Sequence, residues 1–243
     1  MTGMGTLVNT GAVIAGGIAG TLLRSGIPEK YKKTVMQAIG LSVMFIGISG
    51  TIKEMLVIAA GNKLDRQFIM LMIFSLVLGG LAGEFLKIEK RLENIGVWFQ
   101  TKIPAREGTF AEGFVTASLV YCVGAMAIVG SLEDGLSGNP STLYAKAILD
   151  GVSAVVFAAT MGIGVAFSAI PVLAYQGAIT LLAGVIKPWL NDIVISQMSL
   201  VGGILIFAIG INLLELKKIN VGNLLPAVFI PVLYFILKSL LGM

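Results

Sequence analysis

The stretch FIMLMIFSLVLGGLAGEFL, at residues 68–86, contains a single ionisable side chain, Glu84. A helix of about 20 mainly apolar residues spans the hydrocarbon core of a bilayer, so this stretch predicts a membrane-spanning helix. Further stretches of the same character lie at residues 6–23, 34–52, 112–131, 145–169, 171–187, 194–214 and 221–240. The sequence therefore predicts an all-α, polytopic transmembrane helical bundle of about eight spans, with the lipid bilayer as its solvent.

The composition of the whole chain supports this class. Hydrophobic residues make up 56% of the chain and charged residues 12%, with a mean hydropathy of +0.95. An ordinary soluble domain carries about 45–50% apolar and about 25% charged residues. We attribute the net charge of +4 to membrane topology and to anionic lipid headgroups, and we expect no nucleic-acid partner.

The basic residues predict the orientation, because short loops rich in Lys and Arg stay on the cytoplasmic side. With the N-terminus outside, the inner segments hold most of the 17 basic residues, and the outer loop after the fourth span carries the acids Glu133 and Asp134. Both termini are therefore predicted to be external. The inner basic residues are Arg24, Lys30, Lys32, Lys33, Lys87, Lys90, Arg91, Lys102, Arg106, Lys217 and Lys218.

One inner segment, residues 88–103, has helical periodicity of its own. Apolar residues recur there at steps of three or four, and Trp98 is suited to the headgroup region, so the pattern predicts an amphipathic helix lying in the interface. A solvated linker with accidental periodicity is the alternative. The apolar positions are Ile88, Leu92, Ile95, Phe99 and Ile103.

The whole chain is interpreted as one transmembrane domain, residues 1–243. Spans one to three occupy residues 1–87, the interfacial helix 88–103, the two middle spans 112–169 and the last three spans 171–243. Residues 53–66 are harder to place: Leu56 to Ala60 either extend the second span or form a small external element.

Two internal similarities predict repeats. Gly16-Gly17-Ile18-Ala19-Gly20 resembles Gly79-Gly80-Leu81-Ala82-Gly83 in a helix of the same predicted direction, which indicates a parallel duplication. Residues 36–49 align with residues 198–212, in helices of opposite direction, which indicates an inverted repeat of the kind common in secondary transporters. Glycines four residues apart also predict close helix contacts.

Asp150 is the foremost candidate for a functional residue. It lies well inside an apolar stretch, where an ionisable group is costly and generally faces a cavity or a partner. Lys146 lies four residues earlier on the same helical face, so a purely structural ion pair is the alternative interpretation.

Five further polar residues complete the predicted pathway for a solute or ion. Glu84 and Glu112 lie near the ends of spans, where pairing with Lys87 or helix capping would also explain them. Asn9, Gln176 and Asn212 are neutral and are expected to bond between helices or to coordinate a solute.

Prolines predict interruptions in two spans. Pro171 separates the fifth and sixth predicted spans, and the short sixth span is a candidate for a broken or re-entrant segment. Pro226 and Pro231 predict a kink in the last span.

The sequence lacks most of the residue patterns that are typical of enzymes. Gly47-Ile48-Ser49-Gly50 matches the short motif around an intramembrane serine nucleophile, but the chain has no histidine to serve as the general base. The sequence contains no phosphate-binding P-loop and no paired-histidine zinc motif, so we expect no catalytic residue and no cofactor, and no metal site is assigned. Cys122 is the single cysteine and forms no disulfide within the chain.

The order of the motifs resembles that of the bacterial integral-membrane family called domain of unknown function 554. The resemblance covers nearly the whole chain and is most specific between Gly138 and Asp150. It implies a multi-pass protein of the bacterial cytoplasmic (inner) membrane, in a family that has no settled activity and is often regarded as transporters, and it carries over no functional residue. The matching residues are Asn9, Gly16, Gly17, Gly20, Gly83-Glu84, Glu112-Gly113-Phe114, Gly135, Gly138, Pro140, Ala145-Lys146, Leu149-Asp150, Pro171, Gln176, Gly202-Gly203 and Asn223-Leu224-Leu225-Pro226-Ala227.

Two functions follow as hypotheses. The first is transport of a small solute or ion, with Asp150 as the group that responds to a cation or proton. The second is a membrane assembly or sensory component that binds a protein partner through its glycine faces and interfacial helix. The sequence identifies neither the substrate nor the oligomeric state, and a homo-oligomer is one of the alternatives that it leaves open.

Overall fold

The computed structural model describes residues 2–24, 28–59, 63–102, 110–123 and 125–241. Nearly all of these residues are helical, and a single β-hairpin is the only sheet among them. In chain order the elements are α1 (Met4–Arg24), α2 (Glu29–Met55), β1 (Leu56–Ala59), β2 (Lys63–Arg66), α3 (Ile69–Leu86), α4 (Ile88–Lys102), α5 (Phe110–Cys122), α6 (Ala125–Ser137), α7 (Ser141–Met161), α8 (Gly164–Phe167), α9 (Ala169–Leu181), α10 (Ala183–Ile186), a 3-10 turn (Lys187–Trp189), α11 (Asp192–Leu213), α12 (Val221–Leu224), a 3-10 segment (Leu225–Phe229) and α13 (Ile230–Leu240).

Seven segments of the described chain are long and apolar enough to cross a membrane, and the bent pair α5 and α6 makes an eighth. The predicted all-α bundle of about eight spans is confirmed. The seven segments are Met4–Arg24, Lys33–Met55, Ile69–Leu86, Ser141–Met161, Gly164–Leu181, Asp192–Leu213 and Val221–Leu240.

Helices α1 and α7 lie side by side in the same direction. Gly5 at the start of α1 contacts Leu143 at the start of α7, and Gly20 contacts the backbone of Val155 two turns before the end of α7. The carbonyl oxygen of Val155 takes the space that a Cβ on Gly20 would need. The close approach predicted for the first glycine motif is therefore present, and it sets polar residues of α1 against α7.

Antiparallel pairs form the other side of the bundle. In the pair of α2 and α11, Gly40 contacts Leu214 and Gly47 contacts Gly203. The second glycine motif, on α3, packs in the same manner on the last span: Gly83 meets the backbone of Asn223, and Gly79 that of Ala227. The packing role of these glycines is confirmed, while the parallel and inverted repeats stay predictions.

The bent pair α5 and α6 crosses from one end of the bundle to the other. Phe110, which begins α5, contacts Gly164 just beyond the end of α7, whereas Gly130 of α6 contacts Leu143 at the start of α7. The two helices meet at an angle of 61°. The sequence predicted an unbroken span over 112–131. This crossing instead consists of two helices, and the second of them, α6, continues to Ser137.

The boundary between the fifth and sixth spans was predicted wrongly. We expected one span over 145–169 and a break at Pro171, but α7 ends at Met161 and the chain turns at Gly162, whose φ is +83°. A glycine adopts this backbone conformation at little cost. Pro171 lies in the first turn of α9, where a proline displaces no helical hydrogen bond. The next span therefore runs over Gly164–Leu181.

Two surface segments resolve alternatives left open by the sequence. Residues 56–59 and 63–66 pair as an antiparallel hairpin, so they form a small separate element and do not extend the second span, which ends at Met55. Helix α4 covers Ile88–Lys102 and packs on α5 through Gly96 and Ala111. The predicted contributions of Ile103 and Arg106 lie outside the described residues.

The acids assigned to an outer loop are part of a helix. Glu133 and Asp134 lie in the last turns of α6, and Asp134 is completely buried. The apolar stretch stops before them, which is why hydropathy placed them in a loop. In the last span, a 3-10 segment at Leu225–Phe229 interrupts the α-helix where Pro226 predicted a kink.

Candidate functional site

An ion pair lies in the middle of α7. Lys146 Nζ is 2.7 Å from Asp150 Oδ2 and 2.9 Å from Asp150 Oδ1. Only 7% of Lys146 and 6% of Asp150 is exposed. At about 1.5 Å of rise per residue, Asp150 lies about 14 Å along a helix about 30 Å long, so both charges are within the apolar part of the span.

Helices α1 and α9 each direct an amide side chain to this pair. Asn9 Nδ2 donates to Asp150 Oδ2 at 3.0 Å and to Gln176 Oε1 at 3.3 Å. Both amide residues are fully buried. The parallel, glycine-mediated contact of α1 with α7 makes this possible, because it brings the Asn9 backbone within side-chain reach of Asp150. We call Asn9, Lys146, Asp150 and Gln176 the central cluster.

The hydrogen bonds fix the orientation of both amides. The carboxylate of Asp150 accepts only, so Asn9 must turn its NH2 group toward it, and Gln176 must then present its oxygen to the same NH2. Asn9 Oδ1 and Gln176 Nε2 are left without a hydrogen-bond partner, as is the buried hydroxyl of Ser131 on α6. A buried polar group left unsatisfied costs about 1–3 kcal/mol, so these atoms call for an explanation.

Hydroxyl groups of α1, α5, α7 and α9 extend the polar region on both sides of the central cluster. The Oγ1 atoms of Thr6 and Thr180 are 3.4 Å apart, one turn from Asn9 and Gln176 respectively. On the other side of Asp150, Ser153 Oγ lies 3.5 Å from the hydroxyl of Tyr121, which is fully buried in the last turn of α5. Polar side chains thus continue from the central cluster to the last turn of α5.

A second buried carboxylate, that of Asp134, was missed as a structural element. Asp134 Oδ1 accepts from the amide of Gly3 at 3.1 Å, and Oδ2 accepts from Gly5 at 3.0 Å. The carboxylate thereby satisfies backbone donors at the start of α1 and meets the positive end of its dipole. The sequence analysis noted Asp134 only for its charge, which carries no information on this contact.

Glu84 takes part in a joint between helices at the end of the bundle where α3 ends. Its Oε2 accepts from Asn223 Nδ2 at 2.6 Å, so its partner is Asn223 rather than the expected Lys87. Asn223 Oδ1 accepts from the amide of Glu89 at 2.8 Å, and Glu89 Oε2 accepts from the amide of Gly222 at 2.5 Å. This joint holds the end of α3 and the start of α4 to α12, and sequence reasoning did not single out Asn223 for it.

The other predicted pathway residues are also away from the central cluster. Asn212 bonds to both the carbonyl and the amide of Ile219, at 2.8 Å each, and so closes the loop after α11. Glu112, in the first turn of α5, lines a cavity of about 600 Å³ beside α4. Of the six predicted residues, the structure brings together Asp150, Asn9 and Gln176, and separates Glu84, Glu112 and Asn212 from them.

The cavity beside α4 is lined by both acidic and basic side chains. Its acidic residues are Glu89, Glu93, Glu112 and Glu215, and its basic residues are Lys217 and Lys218. Burial raises the pKa of the Glu89 carboxyl, and the hydrogen bond from Gly222 opposes that shift. Within the described residues, no three carboxylate or cysteine side chains converge in an arrangement that would hold a metal ion.

Comparison with known proteins agrees with the architecture. The chain is 34% identical over 236 residues to "Uncharacterized membrane protein YdfK" of Bacillus subtilis (strain 168), covering 97% of each chain. It is 31% identical over 233 residues to "Uncharacterized protein YqgA" of Escherichia coli (strain K12), covering 93% of this chain and 94% of that protein. No solved structure gives a significant match. The model of the family "Protein of unknown function (DUF554)" matches residues 4–236, and the chain belongs to this family of multi-pass membrane proteins.

Proposed function

We propose that this protein moves a small solute or ion across the bacterial cytoplasmic membrane through the central cluster. The observation that carries the proposal is the buried ion pair of Lys146 and Asp150, joined by two amides that each keep a hydrogen-bonding atom unused. The role is that of a carrier rather than an enzyme. It gives Asp150 the part of the ion- or proton-responsive group, with Asn9 and Gln176 as neutral ligands.

Energetics favour a functional explanation of the pair. Removing two charges from water costs several kcal/mol for each ion, and apolar replacements of buried pairs are often neutral or stabilising. A bundle under selection for stability alone would gain little from Lys146 and Asp150 in this position. Ionisable groups inside membrane proteins generally mark the route of an ion, a proton or a solute.

The discontinuous span beside the cluster supports the same function. Carriers commonly build their sites where a spanning helix is interrupted, because the interruption frees helix ends inside a protein-lined space. Here α5 ends one residue after Tyr121, and the Tyr121 hydroxyl faces Ser153, one turn from Asp150. Movement of α6 relative to α5 would alter the surroundings of the pair.

Protonation of Asp150 is a physical route to coupling. A neutral carboxyl no longer attracts the Lys146 ammonium as an ion, so gain of a proton would release that ammonium for another ligand. Loss of the proton would restore the pair. Occupancy of the site and the protonation of Asp150 would then depend on each other.

The test is flux into reconstituted vesicles with the Asp150→Asn variant. We expect the variant to be less stable but to keep the native packing, since Asn has nearly the same shape, and to lose substrate-dependent net flux, because the unpaired Lys146 charge hinders the return of the empty carrier. The matched control is Glu133→Gln, an equally conservative change on α6 at a side chain bonded to Thr142. The solute is chosen beforehand by a thermal-shift screen of ions and small metabolites.

Two results would reject the proposal. One is flux in Asp150→Asn equal to that of the unmodified protein. The other is absence of flux and of solute-dependent stabilisation in the unmodified protein, together with co-purification of a stoichiometric partner. That second result would favour an assembly or sensory component.

A further inference from the structure

We infer that the central cluster binds a small organic carboxylate, which takes the place of Asp150 at the Lys146 ammonium while Asp150 takes up one proton. The inference rests on the proposed transport function and specifies its solute and its coupling. It follows from the unused hydrogen-bonding atoms of the cluster and from its net charge.

The unused hydrogen-bonding capacity consists mainly of donors. Gln176 Nε2 has two N–H groups without a partner. Lys146 has three N–H groups, of which two serve Asp150, and all three become available when Asp150 is neutral. The one unused acceptor is Asn9 Oδ1. A carboxylate supplies acceptors only and matches this set, whereas a metal cation needs several acceptor oxygens.

Charge balance requires a proton to accompany the anion. Lys146 and Asp150 together are neutral, so an added carboxylate leaves one uncompensated negative charge in a site closed to water, which is costly. A proton from solution that forms an O–H bond on Asp150 removes this excess. Lys146 keeps its own proton and exchanges one carboxylate partner for another.

Asp150 is the carboxylate placed for this role. The titratable groups that face it are Lys146 on α7, and Tyr121 and Cys122 on α5. Helix α1 presents the Asn9 amide to it, and α9 presents the Gln176 amide to Asn9. The buried acid of α6, Asp134, is occupied by the backbone amides of Gly3 and Gly5.

The packing around the cluster limits the size of the solute. A Cβ on Gly16 would meet the backbone of Gly151 next to Asp150, and a Cβ on Gly5 would be 2.7 Å from Leu143. Helices α1 and α7 leave little room between them at both ends of the cluster, so a compact solute such as lactate fits the inference better than an extended one.

Binding is tested on the purified, full-length protein by thermal unfolding between pH 5.5 and 7.5. The probes are the N-methylglucamine salts of acetate, lactate and succinate, compared with N-methylglucamine chloride at equal ionic strength. We expect at least one carboxylate to raise the Tm, with an apparent affinity that weakens about tenfold per pH unit as pH rises, as uptake of one proton requires.

Variants separate this site from general effects of anions. Lys146→Met and Gln176→Leu should each lower the apparent affinity for the carboxylate by tenfold or more, and Glu133→Gln should leave it unchanged. If Lys146→Met fails to fold, Gln176→Leu decides. Equal stabilisation of all variants, or no stabilisation of the unmodified protein by any of the three carboxylates, overturns the inference.

Flux measurements distinguish failure of the inference from failure of the transport function. In vesicles, lactate entry beyond that into protein-free vesicles should be driven by an inward proton gradient and unchanged by a potassium–valinomycin potential, because one proton moves with each anion. Carboxylate binding without flux would retain the site and reject transport. Flux of Na⁺ or K⁺ that needs Asp150, without carboxylate binding, would retain transport and reject the inference.

Discussion

At the scale of single residues, the central cluster contains a charge pair, Lys146 and Asp150, whose contribution to stability depends on both members. Lys146 and Asp150 satisfy each other, and Asn9 adds a third hydrogen bond to the carboxylate. Removal of one member leaves the other buried without its counter-charge, which is far more costly than removal of both. The pair therefore constrains which substitutions the protein tolerates.

A double substitution checks this dependence. Lys146→Met is expected to lower the free energy of unfolding by about 3–5 kcal/mol, because it leaves the Asp150 carboxylate buried and unpaired. The double variant Lys146→Met with Asp150→Leu should recover most of that loss. Chemical unfolding in detergent micelles measures both values. A double variant as unstable as the single one would show that the pair is not the source of the effect.

At the scale of elements, glycines decide how closely the helices pack, and that distance positions the polar side chains. Asn9 reaches Asp150 only because the backbones of α1 and α7 are in contact at Gly16 and Gly20. The same helix contains Gly11, around which a Cβ would meet nothing within 4 Å. Helix α1 thus offers a matched pair of sites for the same substitution.

Gly16→Ala is expected to destabilise the protein by about 1–3 kcal/mol, because the new methyl group overlaps the backbone of Gly151. Gly11→Ala should be neutral or stabilise by up to about 1 kcal/mol, since alanine is the better helix former. Thermal unfolding of the two variants in the same detergent gives the comparison. Equal effects of the two changes would contradict the close contact of α1 with α7.

The joint between α4 and α12 should depend on pH through Glu89. Burial raises the folded-state pKa of this carboxyl above its ordinary value of 4.5, despite the hydrogen bond from Gly222. The folded protein then binds more protons than the unfolded chain between those two pKa values. The stability contribution of Glu89 is complete below pH 4.5 and is lost as pH rises through the folded pKa.

Hydrogen exchange of the backbone amides of α4 measures this effect. We expect protection at the start of α4 to fall from pH 4.5 toward neutrality, after correction for the intrinsic exchange rate. Glu89→Gln should flatten the dependence, because its amide oxygen still accepts from Gly222 and does not titrate. Persistence of the full pH dependence in Glu89→Gln would assign it to another acid of the cavity beside α4.

At the scale of the whole molecule, the directions of packed helices agree with eight crossings. Helices α1 and α7 run parallel, the pair α2 and α11 is antiparallel, and α5 with α6 passes from one end to the other. An even number of crossings places both ends of the chain on one face. The distribution of basic residues predicts that this face is external.

Labelling of single cysteines tests the orientation. In a Cys122→Ser background, Arg66→Cys on the hairpin should react with a membrane-impermeant maleimide added to intact cells, and Lys218→Cys should react only after lysis. Both side chains are exposed in the structure. The reverse labelling pattern would invert the predicted topology without changing the fold.

The sequence by itself determined the solvent, the number of crossings and the presence of a costly acid in the fifth span. These follow from local properties, because hydropathy and charge along the chain decide which segments enter hydrocarbon. It also predicted the three polar residues that meet at the centre, since Asp150, Asn9 and Gln176 each interrupt an apolar stretch.

The tertiary structure decided which of those residues act together. Nothing along the chain distinguished Asn9, which meets Asp150 through a glycine contact of α1 with α7, from Asn212, which closes its own loop. Gly162 ended a helix within an unbroken apolar run, and Asp134 was buried by a distant helix start. Hydrogen bonds and helix contacts between residues more than 100 positions apart depend on packing geometry. The hydropathy of the sequence does not predict that geometry.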